Sequence, residues 1–321
     1  MFHKSDGYAV IAFAFLLGCS GTESSSPVGN GGTGMGGSTT AAGTSSIGGA
    51  GGSKATGVAS ATGASSSTGG ASGTTGCGMT NYPAPCSTSG SPCSIDVGGT
   101  ARQYYVKLPS NYDASHAYPL VFEFHYLGGS AEGIFNDNMY RVRPNFANAI
   151  YVIPQGLAGS DGNRGWPNTN NQDIDFTKAM VSALEANYCI DQSRIFSMGF
   201  SYGGMMSITI GCLMPDVFRA IGIESGFSIV YNCNPSHEIA VWQTQGDQDT
   251  TVTPTNAAAA RDIFVKLNHC SATTQAVDPT PCVAYDNCDT SYPVTWCSIA
   301  GEGHAMWNQA GPAIATFFQQ F

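Results

Sequence analysis

The apolar runs of this chain are short and unbroken. "LVFEFH" (120–125) and "AIYVIP" (149–154) are almost continuously apolar, as expected of strands covered on both faces. "RIFSM" (194–198), "FRAIGIES" (218–225), "IAVWQTQ" (239–245) and "PVTWCSI" (293–299) read the same way, and "RQYYVKL" (102–108) is a further strand. Helical spacing appears between them. "DIDFTKAMVSALEANY" (173–188) has an Asn or Asp available as its N-cap, and "MMSITIGCLM" (205–214) is stopped by Pro215. "PTNAAAARDIFVKLN" (254–268) and "NQAGPAIATFFQQF" (308–321) complete the set. Strands alternating with helices predict an α/β fold, a mainly parallel sheet with helices on both faces. In such sheets ligands bind beyond the carboxyl ends of the strands, so the loops following strands are where chemistry is expected.

No such pattern exists before residue 77. Residues 20–76 are nearly all Gly, Ser, Thr and Ala with only two charges, Glu23 and Lys54. A segment this poor in apolar side chains cannot offset its conformational entropy by burial, which predicts a disordered linker. About 245 residues remain from Cys77 onward, enough for one sizeable domain over 77–321. Ahead of the linker, "MFHKSDG" carries a lysine and "YAVIAFAFLLG" is an apolar run too short to cross a bilayer comfortably, so residues 1–18 read as a signal peptide. "LLGC" (16–19) resembles a lipobox, with Cys19 as the lipidated residue. A lipid there would hold the domain on a long leash at a membrane surface, the only membrane contact expected.

The net charge is −10, and with Lys4, Asp6, Glu23 and Lys54 set aside the domain itself carries 10 basic and 20 acidic residues. It has no basic stripe to follow a phosphate backbone, which argues against a nucleic-acid partner. Of 11 cysteines, ten lie from Cys77 on, with no C-x-x-C pair and no H-E-x-x-H. Neither zinc nor thioredoxin-like chemistry is favoured; an even count in an exported domain implies up to five disulfides, of connectivity unreadable from sequence. "GNGGTG" (29–34) satisfies G-x-G-x-x-G, but no strand precedes it and no helix follows, so it is set aside as a dinucleotide motif.

"MGFSYGGMM" (198–206) contains the chain's one G-x-S-x-G, around Ser201. The motif avoids the Gly/Ser-rich linker and falls between a predicted strand and helix, the context of a nucleophile elbow. A serine hydroxyl needs a base to become a nucleophile. Of six histidines, His304 in "GEGHAMW" follows the strand 293–299, which completes the chain order serine, acid, histidine of the α/β-hydrolase fold. The acid should follow the strand 239–245, where "GDQD" offers Asp247 and Asp249; the Gly-x-x-Asp spacing favours Asp249 and leaves Asp247 as a loop-capping carboxylate. The oxyanion donors should be the N–H of Tyr202 and a second N–H in "HYLGGS" (125–130), Leu127 by preference and Tyr126 as the alternative. His125 reads as a residue shaping that loop. This acyl transfer calls for no metal and no organic cofactor.

Taken together, "GFSYGGMMS", "DIDFTKAMVSALEANYCID", "FHYLGGS", "GDQDTTV" and "GEGHAMW" resemble the secreted feruloyl esterase and polyhydroxybutyrate depolymerase group, the carbohydrate esterase family one type of α/β-hydrolase, over roughly residues 95–321. The resemblance implies Ser201, Asp249 and His304 as the triad of a serine esterase. It departs at the oxyanion loop, where the group commonly has His-Gly and this chain has His125–Tyr126. Tannase-like relatives, which bridge the residues beside serine and histidine by a disulfide, do not match, since Phe200 and Ala305 stand there. The expected substrate is a feruloyl ester of plant cell-wall polysaccharide, with polyhydroxybutyrate or acetylated xylan as alternatives. Trp166, Tyr126, Tyr202 and Trp307 either line a flat apolar slot for an aromatic acyl group or simply pack the loops. A different class, a surface-tethered binding protein on a hydrolase scaffold, leaves three correctly ordered catalytic groups unexplained. The expectation is an exported or surface-anchored monomer acting on polysaccharide- or polyester-linked esters.

Overall fold

The computed structural model describes residues 74–87 and 91–321. The proposed signal peptide, Cys19 and the linker as far as residue 73 lie outside the described residues. The strands are β1 (Cys93–Val97), β2 (Thr100–Lys107), β3 (Tyr118–Phe124), β4 (Ile150–Pro154), β5 (Leu157–Ala158), β6 (Arg164–Gly165), β7 (Ile190–Phe200), β8 (Ala220–Glu224), β9 (Ala240–Gly246), β10 (Thr274–Ala276), β11 (Cys282–Tyr285) and β12 (Val294–Ile299). The α-helices are α1 (Ala131–Asp137), α2 (Gln172–Asn187), α3 (Tyr202–Leu213), α4 (Pro254–Leu267) and α5 (Ala310–Phe318). Ten strands form one sheet in the order β1-β2-β4-β3-β7-β8-β9-β12-β11-β10, and β5 pairs with β6 apart from it.

Six central strands, β4, β3, β7, β8, β9 and β12, run parallel. The apolar runs seen in the sequence are these strands, and every residue of β3, β4, β8 and β9 is buried. Successive side chains go to opposite faces. On β3, Leu120, Phe122 and Phe124 join one core with Phe176 and Leu184 of α2, Ile208 of α3 and Phe264 of α4. Val121 points the other way, into a second core with Ile134 of α1 and Ile314 and Phe318 of α5. The sheet is thus covered on both sides, as the α/β pattern predicts.

The edges are antiparallel and more polar. β1 and β2 form a hairpin in which Val97 faces Thr100. Its two turn residues, Gly98 and Gly99, both have positive φ (59° and 83°), the backbone of a type I′ turn. At the other edge β11 and β10 are antiparallel additions, and Cys282 faces Cys297 across the β11–β12 pair.

All ten domain cysteines are paired: Cys77–Cys189, Cys86–Cys93, Cys212–Cys233, Cys270–Cys288 and Cys282–Cys297. Cys77–Cys189 spans 112 residues and ties the entry segment to the start of β7. Closing so long a loop in the unfolded chain is worth about 4–5 kcal/mol on the chain-entropy account. The same junction moves the domain boundary. Residues 74–76, assigned by composition to the linker, are held to the domain: Thr74 Oγ1 donates to Tyr188 O at 2.7 Å and accepts from Ile190 N at 3.1 Å, and Gly76 N donates to Glu185 O at 3.0 Å. Backbone pairing overrides composition here. No helix among the described residues is long and apolar enough to cross a membrane.

Candidate active site

Ser201 stands between β7 and α3 with φ 55° and ψ −119°, a positive-φ conformation that few non-glycine residues adopt. Two glycines allow the turn. A side chain on Gly199 would meet the backbone of Gly203, and one on Gly203 would run into the carbonyl of Phe124 at the end of β3. The turn presses against the neighbouring strand, so only hydrogen fits at these positions. Ser201 N donates to Glu224 O at 2.8 Å, which fixes the turn to β8.

Two further loops converge on it, each beyond the carboxyl end of a parallel strand. Asp249 follows β9 and His304 follows β12. The Ser201 hydroxyl lies 2.8 Å from His304 Nε2, and His304 Nδ1 lies 2.7 Å from Asp249 Oδ2. The Asp249 carboxylate is fully buried. Its Oδ1 accepts the N–H groups of Thr251 (2.8 Å) and Val252 (2.9 Å), and its Oδ2 also accepts from Gln245 Nε2 at 3.0 Å. Burial works to raise the acid, but the hydrogen bonds from His304, Val252 and Thr251 outweigh it and hold Asp249 below its ordinary range. Asp247 serves elsewhere: its Oδ1 accepts Gly301 N at 2.7 Å and ties the acid's loop to the histidine's loop. The Phe200 ring packs on the imidazole with centroids 4.8 Å apart. Nothing in the local sequence pattern marks that contact, because Phe200 reads as the last core residue of a strand.

The arrangement can take a proton from the hydroxyl at Nε2 while a fixed carboxylate holds Nδ1–H. The N–H of Tyr202, first residue of α3, has no intrahelical acceptor. Across from it, Gly128 N donates to Arg164 O (2.8 Å) and Gly129 N to Tyr126 O (3.0 Å), while the N–H groups of Tyr126 and Leu127 meet no acceptor among the described residues. The Tyr202 ring and Leu127 both lie against Gly165 of β6, where a Cβ has no room.

His125 braces this loop from beneath. It is fully buried; Nδ1 donates to Tyr126 O at 2.8 Å and Nε2 accepts from Gly156 N at 3.0 Å and from Gln155 Nε2 at 3.1 Å. Burial lowers it to about 4, so the ring is neutral in ordinary solution. Trp166, expected among residues lining an acyl slot, has another role. It is 0% exposed and its Nε1 donates to His125 O at 2.7 Å. A tryptophan without exposed surface cannot face a substrate; it packs under the loop, with its one polar atom satisfied. Tyr126 and Trp307 are half-buried, and Tyr126 meets Phe200 edge-on at 6.3 Å.

The sequence offers an Asn or Asp cap for α2 without saying which residue supplies it, and it does not show the pairing of Arg102. Asn168, with φ 49°, accepts Asp173 N and Ile174 N on its Oδ1 and so caps α2, although Asn171 occupies the cap position. Arg102 of β2 pairs with Asp173 at 2.8 Å, both side chains being buried, and its guanidinium lies 4.2 Å over the Phe176 ring. Elsewhere, Glu238, His269 and Asp289 bring potential metal-ligand atoms within 4.8 Å of one another. They sit at the amino-terminal ends of β9 and β12, the opposite end from Ser201, and His269 Nδ1 is already bonded to Asp289 at 2.6 Å.

The profile of the prolyl oligopeptidase family matches residues 150–279, which include Ser201 and Asp249. Feruloyl esterase D of Neurospora crassa is 29% identical over 243 residues, 71% of this chain and 82% of that protein. A probable feruloyl esterase C of Aspergillus clavatus is 31% identical over 214 residues, 63% of this chain and 75% of that protein. Among solved structures, an acetyl xylan esterase from Aspergillus awamori superposes with a TM-score of 0.58 at 19% identity, covering 72% of this chain and 99% of that one.

Proposed function

This chain belongs to the feruloyl esterase family of α/β-hydrolases, and from that premise we propose that it is a serine carboxylesterase releasing feruloyl or related hydroxycinnamoyl groups from plant cell-wall polysaccharide. The observation that carries the reading is the unbroken chain Ser201–His304–Asp249, with bonds of 2.8 and 2.7 Å. His304 takes the Ser201 proton as Oγ attacks the ester carbonyl. The oxyanion is received by the N–H of Tyr202 and by a second N–H at Leu127 or Tyr126. His304 then gives its proton to the leaving sugar oxygen, and a water molecule, deprotonated by the same imidazole, releases the acid from the acyl-enzyme. Asp249 holds the imidazole in one tautomer throughout. Tyr126 and Trp307, half-buried in the loops beside Ser201 and His304, form the apolar walls for the aromatic acyl group.

Five disulfides suit an oxidising compartment. With the apolar leader, the lipobox-like Cys19 and the Gly/Ser-rich segment after it, they support an exported monomer tethered at a membrane surface. A side-by-side assay on methyl ferulate, acetylated xylan and amorphous polyhydroxybutyrate tests the substrate. The reading expects methyl ferulate to give the highest kcat/KM; faster release of acetate or of hydroxybutyrate would assign one of those esters instead.

A further inference from the structure

Asp249 Oδ2 accepts a second hydrogen bond besides the one from His304, and it comes from a side chain with no part in the chemistry above. Gln245 stands next to last in β9, four residues before Asp249, and is 1% exposed. Its Nε2 lies 3.0 Å from Asp249 Oδ2, 2.8 Å from Val252 O and 3.3 Å from Gly246 O. A carboxylate and two carbonyls can only accept, so the end of the amide that faces them is its nitrogen. The other end, Oε1, is buried with no partner among the described residues. The side chain is thus oriented by what it donates to.

The acid is held at both of its oxygens. Oδ1 accepts the N–H groups of Thr251 (2.8 Å) and Val252 (2.9 Å), while Oδ2 meets Gln245 Nε2 and, at 2.7 Å, His304 Nδ1. Val252 is bonded on both sides, its N–H to Oδ1 and its carbonyl to Gln245. One amide therefore fixes both the carboxylate and the turn that carries it. Gln243, two residues earlier on the same face of β9, offers a contrast. It is equally buried, but its Nε2 donates to Ala257 O at 3.0 Å and Gly226 O at 3.3 Å, backbone groups outside the triad.

We propose that Gln245 is a positioning residue for the esterase reaction: its Nε2–H holds the Asp249 carboxylate in the orientation that receives His304 Nδ1–H. The proposal rests on the esterase reading of Ser201, Asp249 and His304. Without that bond Oδ2 is held by the imidazole alone, and the imidazole loses its fixed reference as it takes the Ser201 proton. A misplacement of reacting groups by about 1 Å can cost roughly 100-fold in rate.

The test measures Tm, and kcat and KM on a nitrophenyl ester, for wild type, Gln245→Met, Gln243→Met, Asp249→Asn, Ser201→Ala and the double variant Gln245→Met with Asp249→Asn. Methionine fills the space of glutamine without a donor. Gln245→Met should lower kcat by roughly 10- to 100-fold with KM nearly unchanged, since a buried side chain cannot touch substrate. Gln243→Met should hold kcat within about threefold, whatever its Tm. In the Asp249→Asn background the Gln245 substitution should change kcat by less than about threefold, because the acceptor it acts through is gone. Should Gln245→Met not fold, Gln245→Leu, also without a donor, is read in its place. Wild-type kcat in the Met or Leu variant would overturn the proposal, even with a lowered Tm. An equal loss in Gln243→Met, or an undiminished loss in the Asp249→Asn background, would overturn it too, leaving Gln245 a packing role alone. An inactive wild type, or an active Ser201→Ala, would overturn the esterase reading and the proposal with it.

Discussion

His304 donates from Nδ1 to Asp249 Oδ2 across 2.7 Å, whereas Asp247, two residues earlier, turns its carboxylate to the N–H of Gly301. Two aspartates in one loop therefore have separate tasks, one orienting the base and one joining loops. Asp249→Asn keeps the shape but replaces the acceptor by an amide that favours the wrong imidazole tautomer. It should lower kcat by roughly 10³–10⁴-fold. Asp247→Asn retains an oxygen for Gly301 and should stay within a few-fold of wild type. Steady-state kinetics on the two variants decide the matter; the reverse ranking would exchange their roles.

The His125 ring predicts an acid-labile fold. Its ordinary value is 6.5 and burial lowers it to about 4 in the folded protein. Between these values the unfolded chain binds a proton that the folded one refuses, so stability falls as pH drops through that window. The full effect is on the order of 3 kcal/mol. Urea unfolding at pH 7 and pH 4.5 should show it in the wild type. His125→Gln, which does not titrate, should lose less stability over the same interval; an identical loss would assign the lability to other groups.

Arg102 and Asp173 are both buried, and Asp173 also accepts Asn168 N at 2.8 Å. Arg102→Met leaves that carboxylate uncompensated and should cost about 3–5 kcal/mol. For a domain of this size that is a fall in Tm of roughly 10 °C. Adding Asp173→Asn removes the buried charge and should recover part of the loss. A single variant with wild-type Tm would show that the pair contributes little.

Much of this could be read along the chain, for reasons that particular residues make plain. The central strands announce themselves because both their faces are covered, so runs such as 120–125 have no polar interruption. Ser201 was legible because its turn needs Gly199 and Gly203, and His304 and Asp249 because strand order places them. The hairpin turn at Gly98 and Gly99 carried its own signal, two glycines between short strands, without a long apolar run to draw attention to it. What local pattern does not carry is pairing at a distance. Trp166 and Arg102 look like loop and strand residues until the fold brings His125 and Asp173 to them. Glu224 is one polar letter in "AIGIES", and only the fold shows that β8 lies inside the sheet and buries it.

The most direct test of the central claim is the turnover of methyl ferulate by Ser201→Ala beside the wild type, with Tm measured on both. The account predicts a loss of at least about 10³-fold in kcat with Tm nearly unchanged, since only a hydroxyl is removed from a turn held by backbone contacts. A folded Ser201→Ala protein that still hydrolyses the ester within tenfold of wild type would contradict it.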